Sequence, residues 1–286
     1  MDNKLLTRAI SAFDSAGFEV KLVAYDHEKG LDLFGVTHNG KILPDPVCEK
    51  EQVPETMPKK NARFPGESYD IRRIVGSENW REAVFSVCRL LQEGGANQIH
   101  VGDFLYVYFE VPAAEYAGVK FPKLEIVSAK VVVVERTHDK IFFNFDEIIF
   151  KSAVNANDTN EKGFSESALA KYLNGVFLEA MGIKDCLLFG EGCICVTLPT
   201  AHELFGDAEY WEAENNFTEN AYQFNHYKNE KNRVKVFENE THWYWTSSAR
   251  ASSAASFCYV NNYGSSNYLS GHASSAGGVA PAFFVA

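Results

Sequence analysis

The sequence predicts an α+β protein, a mixed helix-and-sheet domain preceded by a small α/β unit. Three observations carry this expectation. Helical-period segments are few and are separated by long runs of period-two alternation, the pattern of helices gathered on a sheet rather than of regular βαβ repeats. Prolines cluster in one early stretch, Pro44, Pro46, Pro54, Pro58 and Pro65, where missing donors and a fixed φ suit a connecting segment. From Trp243 onward the composition changes to Ser, Ala, Asn, Tyr and Gly, closed by an apolar terminal run. The expected division is residues 1–55 as the first unit, 56–76 as a linker or wrapping arm, and 77–286 as the main domain.

In the first unit, Leu5, Leu6, Ala9, Ile10 and Phe13 have helical spacing that stops at Gly17, a residue suited to a helix C-terminus. Phe18, Val20, Leu22 and Ala24 alternate as a half-buried strand does. Leu31 to Leu43 reads as a hairpin turning at Asn39-Gly40.

In the main domain, Ser77 is the expected N-cap of a helix whose Val84, Phe85, Cys88 and Leu91 share a stripe ending at Gly94-Gly95. Strands are expected over 103–111, 124–134 and 140–149, with Val131 to Val134 buried on both faces. A second helix spans 165–181, with Leu169, Tyr172, Leu173, Val176 and Phe177 at one-face spacing. A strand over 192–198 follows. Thr200 and Glu203 then have the spacing of a capping box, in which each side chain satisfies the other residue's amide. The stretch 207–240 is acidic and aromatic, and reads as a long loop braced by its rings.

The last stretch runs from Trp243-Tyr-Trp-Thr-Ser-Ser248 to Phe283-Phe-Val-Ala286. After Trp245 it holds no Lys, Glu, Asp, Gln, Met or Trp, and Arg250 is its one charge at neutral pH apart from the titratable His272. A disordered tail is the bland reading of so polar a run. Phe257, Val260, Leu269, Val279, Phe283 and Phe284 punctuate it as folded strands would. An irregular surface between fixed strands is therefore expected, with Gly277-Gly278 as a tight turn before the final strand.

These residues carry a resemblance. Tyr244-Trp-Thr-Ser-Ser248, Phe257-Cys-Tyr-Val260, Gly264 and Gly278-Val-Ala-Pro-Ala-Phe283 resemble the variable region of diversity-generating-retroelement target proteins. The order of elements from about Gly102 onward is similar as well. That family implies a C-type-lectin-like domain, related to formylglycine-generating enzymes, in which adenines of selected codons are randomised. Codons of the form A-A-pyrimidine stay pyrimidine-ending and never encode Lys, Glu, Gln, Met or Trp, which matches the missing residue types.

The resemblance implies a non-enzymatic binding protein of receptor or adhesin type, with a variable region over 249–276. Framework residues Trp243, Trp245, Phe257, Val260, Val279 and Phe283 are expected to hold the backbone. The expected ligand-binding residues are Arg250, Ser252, Ser253, Ser256, Tyr259, Asn261, Asn262, Tyr263, Ser265, Asn267, Tyr268, Ser270, His272 and Ser274. Tyr259, Tyr263 and Tyr268 would be the anchors, because tyrosine offers wide amphipathic contact with few rotors to freeze. The ligand would be a protein or a glycan, and small side chains would favour homo-oligomers binding through avidity.

Other function classes find less support. A net charge of −11 and the absence of a concentrated basic face argue against nucleic acid. No run approaches the roughly 20 apolar residues of a membrane helix. The N-terminus lacks secretory-signal features, which points to the cytoplasm or a phage particle. Cys48, Cys88, Cys186, Cys193, Cys195 and Cys258 show no disulfide or zinc spacing and read as buried thiols.

No catalytic residue is expected. His202 reads as solvent-facing, His226 lies in the long loop and His242 packs beside Trp243, all without a nucleophile at motif spacing. No cofactor is expected either, although Asp207, Glu209, Glu212 and Glu214 leave oxygen-ligated calcium open. The alternatives are an oxidoreductase of the formylglycine-generating type built on Cys258, and a structural virion or surface component.

Overall fold

The computed structural model describes residues 18–26, 31–38, 41–42, 67–188, 195–206, 222–265 and 270–286. The chain forms two compact units, Met1–Ala62 and Arg63–Ala286. In the first, β1 (Phe18–Asp26), β2 (Leu31–His38) and β3 (Lys41–Ile42) form an antiparallel sheet in that order. His38 pairs with Lys41, the register of a hairpin closing over two residues. The expected turn residues 39–40 and the helix over 5–13 lie outside the described residues.

The second unit begins earlier than the sequence suggests. Residues 67–76, expected as linker, pack onto it: Asp70 bridges to Phe104, and Ile71, in the helix α1 (Ile71–Val75), is fully buried. Helix α2 (Trp80–Gln92) follows, and Asn79 rather than Ser77 caps it, accepting from the Arg81 amide at 2.8 Å. Ser77 instead donates its hydroxyl to the Asn79 carbonyl. Trp80, Ala83, Val84, Val87 and Leu91 line the buried face.

The strands continue as β4 (Phe104–Val111), β5 (Ala114–Tyr116), β6 (Val119–Phe121), β7 (Leu124–Arg136), β8 (Ile141–Phe145), β9 (Phe150–Ser152) and β10 (Val196–Thr197). After these come β11 (Lys235–Phe237), β12 (Glu240–His242), β13 (Tyr244–Ala249), β14 (Ser256–Val260), β15 (Ser270–His272), β16 (Gly277–Val279) and β17 (Ala282–Val285). Two five-stranded sheets dominate, ordered β10-β17-β8-β7-β4 and β15-β14-β13-β16-β9. The protein is thus mixed α+β, mostly sheet with few helices.

The sheets are joined by two chain segments running side by side. β8 leads into β9 and β16 leads into β17, while β17 pairs with β8 and β16 with β9. Asn144 secures the crossover, donating its Nδ2 to the Ala280 and Pro281 carbonyls at 2.9 Å each. Val131 to Val134 are all buried, as their unbroken apolar run predicts.

The expected second helix is present but interrupted. Segments α3 (Ala168–Tyr172) and α4 (Leu178–Met181) flank a π turn at Leu173–Phe177, where Gly175 leaves helical φ/ψ. The Tyr116 hydroxyl occupies the space a Cβ on Gly175 would need. The helix yields to the ring, which the spacing of apolar residues does not reveal. Helix α5 (Ala201–Phe205) starts with the predicted capping box, Thr200 accepting from the Glu203 amide and Glu203 from the Thr200 amide.

Candidate functional site

The stretch after β12 is built on two indole rings. Trp245 is fully buried and donates its Nε1 to the Ser152 carbonyl at 3.0 Å. Trp243 meets it edge-on at 4.9 Å, and Tyr259, opposite Trp245 in the β13–β14 register, packs on both. On the other face of the sheet, Tyr244 and Val260 join a cluster with Tyr227, Leu204 and Phe224, while Cys258 lies against Ala201 and Phe205.

Close approach to these indoles explains the glycines. A Cβ on Gly271 would lie 2.5 Å from Trp245 Cη2, and one on Gly277 would be 2.5 Å from Trp245 Nε1 and also collide with the Trp243 ring. Gly277 and Gly278 are therefore not a turn, as expected from sequence, but strand residues of β16, the first fitting against the indoles and the second against Ile148 and the Trp243 carbonyl.

Two candidate contact loops lie at the two ends of β14. At its start, residues 250–256 form a tight loop in which the Arg250 amide bonds to the Ser256 carbonyl at 2.9 Å. The Asn160 side chain holds this loop, its Nδ2 donating to the carbonyls of Arg250, Ser253 and Ser256 at 3.3, 2.7 and 2.6 Å. The Asn160 amide also bonds to the Ala254 carbonyl, and the amides of Val154 and Asn155 both bond to the Ala273 carbonyl. Nearby, Asp158 accepts from the Ser274 amide and hydroxyl and faces His272 at 3.4 Å. Those hydroxyl and amide bonds, with His272 adding, hold its carboxyl below the usual carboxylate range.

At the other end, Asn261 closes a five-residue loop, its Oδ1 accepting from the amides of Tyr263 and Ser265 at 2.9 and 3.0 Å. Gly264, at φ 80°, lets the loop press on the backbone of Glu230, where a Cβ would sit 2.7 Å from the carbonyl oxygen. Tyr263 stands at the tip, 73% exposed.

Among the expected binding residues, Arg250, Ser252, Tyr263, His272 and Ser274 are exposed, while Ser253, Tyr259, Asn262 and Ser265 are half-buried. Ser256 and Asn261 are corrections, each 6% exposed. Ser256 accepts from the Ser253 hydroxyl and Asn261 from its own loop, so both brace the backbone instead of displaying a side chain. Burial raises the Tyr259 hydroxyl's pKa and its ring is part of the frame, which leaves Tyr263 as the described tyrosine that projects. Asn267 and Tyr268 lie outside the described residues, and only the backbone of Ser270 is described, opposite Cys258.

The two loops are separated by the length of β14, about 13 Å at roughly 3.3 Å per residue. One contiguous patch was expected; the described residues form two. Sequence reading missed Asp158 and Asn160 altogether, because their partners lie about 90 to 116 positions away. The only local hint was the run Asn155-Ala-Asn-Asp-Thr-Asn160, rich in residues that bond to backbone.

Comparison with models of protein families, with curated proteins and with solved structures finds no match to this chain. The chemistry of the remaining candidates therefore rests on position alone. Cys258 is 1% exposed, and Cys88 and Cys186 are buried too, with burial raising both thiol pKa values. Cys195 is also buried; Cys48 and Cys193 lie outside the described residues, as do Asp207, Glu209, Glu212 and Glu214. Among the described residues no group of three or more His, Cys, Asp or Glu gathers as metal ligands. No described helix is long and apolar enough to cross a membrane.

The histidines differ from expectation in one case. His202, expected in solvent, is 8% exposed beneath α5. His226 is pushed down to about 4, mainly by burial, with Lys235 adding to the effect. His242 stacks on Trp243, with Nδ1 2.7 Å from the Trp243 carbonyl.

Proposed function

We propose that the second unit is a C-type-lectin-like scaffold of the diversity-generating-retroelement variable-protein type. On this reading it is a non-enzymatic receptor or adhesin whose loops 250–256 and 261–265 carry exchangeable contact residues. The observation that carries the reading is the nature of the clamp on the first loop. Asn160 reaches three carbonyls of the loop with its side chain and a fourth through its amide, while next to the loop Val154 and Asn155 reach the Ala273 carbonyl and Trp245 holds the Ser152 carbonyl. Every one of these bonds goes to a main-chain oxygen, a group that substitution does not alter. The loop's position is thus set by residues outside it, and the side chains at 251, 252 and 254 are exposed.

Ligand contact then falls to Arg250, Ser252, Asn262 and Tyr263, with the exposed His272 and Ser274 beside the first loop. A protein or glycan is the expected partner, bound by several copies together if each contact is weak. Two experiments test this. Simultaneous randomisation of residues 251, 252, 254, 262 and 263 should leave most variants folded, with melting midpoints close to the parent; widespread unfolding would end the proposal. In the genome, an imperfect repeat of the DNA for residues 249–286, differing at adenines beside a reverse-transcriptase gene, is expected.

A further inference from the structure

A groove of about 420 Å³ is lined by Lys130, Asp146, Asn225, His226, Asn229 and Asn232, together with Val132 and Gly102. Its volume falls in the range of small-molecule sites, but its lining is far more polar than most.

The charges in it cancel. Lys130 and Asp146 form an ion pair at 3.1 Å, fixed further by the Asp146 amide on the Lys130 carbonyl at 2.9 Å. The Lys130 ammonium also sits 5.3 Å from the centre of the Phe104 ring. His226 is neutral near pH 7, since burial holds its pKa at about 4.

The amides are partly committed and partly open. Asn225 is spent, donating to both Glu135 oxygens and accepting from Lys228. Asn232 donates Nδ2 to the His226 carbonyl at 2.8 Å, and Asn229 accepts at Oδ1 from the Lys231 amide at 3.2 Å. This leaves the Asn232 Oδ1 acceptor and the Asn229 Nδ2 donors, beside the remaining ammonium protons of Lys130, without another bond among the described residues. Open donors and an open acceptor thus line one groove together with a paired ammonium and carboxylate.

That combination selects a ligand chemistry. A carboxylate gains Lys130 and the Asn229 Nδ2 donors but meets the Asp146 charge and finds no donor in Asn232 Oδ1. An ammonium gains Asp146 but meets Lys130. An apolar ligand strips water from four polar groups and returns no hydrogen bond. A hydroxyl group donates and accepts without charge.

We propose that this groove binds a neutral, polyhydroxylated small molecule such as a saccharide, at a site whose lining includes no residue of the 250–256 or 261–265 loops.

The test is calorimetric titration of the full chain with methyl glucoside, methyl galactoside, methyl mannoside, maltose and lactose, with glucuronate and glycylglycine as charged comparators. At least one neutral sugar is expected to bind at millimolar concentration or tighter. Asn229→Trp, which fills the groove from its exposed rim, should weaken that binding at least about tenfold, or about 1.4 kcal/mol. Tyr263→Ala should leave it unchanged, which separates this site from the display loops. Chemical-shift mapping on the unaltered chain should place the perturbed amides at 130, 146 and 225–232, and it decides the matter if Asn229→Trp does not fold. Failure of all five sugars, preference for a charged comparator, or perturbations elsewhere would overturn the proposal.

Discussion

The two five-stranded sheets of the second unit are specified in opposite ways. In the β10-β17-β8-β7-β4 sheet, large side chains do the work: Val131, Val133, Phe143, Phe145 and Phe283 are buried and interlocked, with Phe143 stacked on Phe283 at 5.2 Å. In the β15-β14-β13-β16-β9 sheet, Tyr244, Trp245, Phe257 and Phe150 are buried as well, but Gly271 and Gly277 lie against the indoles. Its 250–256 loop is held by hydrogen bonds to main-chain oxygens and its 261–265 loop by main-chain amides donating to the Asn261 Oδ1. A sheet set by interlocking volume resists substitution nearly everywhere. A sheet set by two rings and backbone bonds concentrates that resistance at a few positions and leaves the rest open to change.

The contrast breaks most visibly at the glycines. Gly277→Val places atoms inside both indoles, and its destabilisation should reach about 3 kcal/mol or more by urea denaturation. In the other sheet the sensitivity is to lost volume, so Val133→Ala should cost about 2 kcal/mol while leaving a cavity. If Gly277→Val proves mild, the close packing under tryptophan is not what fixes β16.

Next in size is Asn160→Ala. It releases three carbonyls at a partly exposed site, where water replaces the lost donor, so stability should fall by about 1–2 kcal/mol. The more telling readout is proteolysis, which should accelerate within residues 250–256 and not within 261–265. Equal acceleration in both loops would mean that the clamp is not local.

Titration sharpens the comparison on the second sheet's far side, where α5 packs against Cys258. Burial raises the Glu203 carboxyl to about 7, partly offset by its bonds with Thr200. The folded state therefore holds this proton where the unfolded chain has lost it, and stability from Glu203 declines as pH rises from about 4.5 to about 7. His226 acts in the reverse sense: its folded pKa is lowered to about 4, so its contribution is lost as pH falls below about 6.5. Glu203→Gln keeps an acceptor for the Thr200 amide and removes the first slope. Stability of this variant should then rise steadily from pH 4 to 6.5, measured by thermal melting across that range. A flat profile in this variant would show that His226 does not carry the assigned shift, and a variant profile identical to the parent's would show the same of Glu203.

The smallest effect belongs to the exposed tips. Tyr263→Ala and Ser252→Ala should each change stability by less than about 0.5 kcal/mol.

Much of this architecture can be read from the sequence, and the failures share a cause. Local patterns suffice for the Thr200 capping box, for the strands over 104–111 and 124–136 and for the buried Val131 to Val134 run, because each follows from neighbours in the chain. Ser77 and Asn79 are both good caps two residues apart, and only the packing of Trp80 selects the second. The π turn at Gly175 answers to Tyr116, and Gly277 answers to Trp243 and Trp245; a glycine in sequence reads as a turn whether it bends the chain or makes room for a ring. His202 goes into the interior with the α5 face that meets the sheet. Asp158 and Asn160 are the largest omission, since their bonds to the 250–256 loop and to Ser274 span the domain and leave no periodic trace. The partition of the expected binding residues into displayed and bracing positions, with Ser256 and Asn261 turned inward, is likewise a property of loop geometry.

The placement of β17 has a consequence for how altered versions of this chain would be sorted. That strand lies in the interior of the first sheet, between β10 and β8, and it is made from residues 282–285, downstream of both display loops. Any nonsense codon or reading-frame error introduced between residues 250 and 276 deletes or scrambles an inner strand and leaves β8 and β10 with exposed edges. Missense exchange upstream spares it. The fold thereby acts as its own proofreader, admitting only messages translated in frame through the last strand.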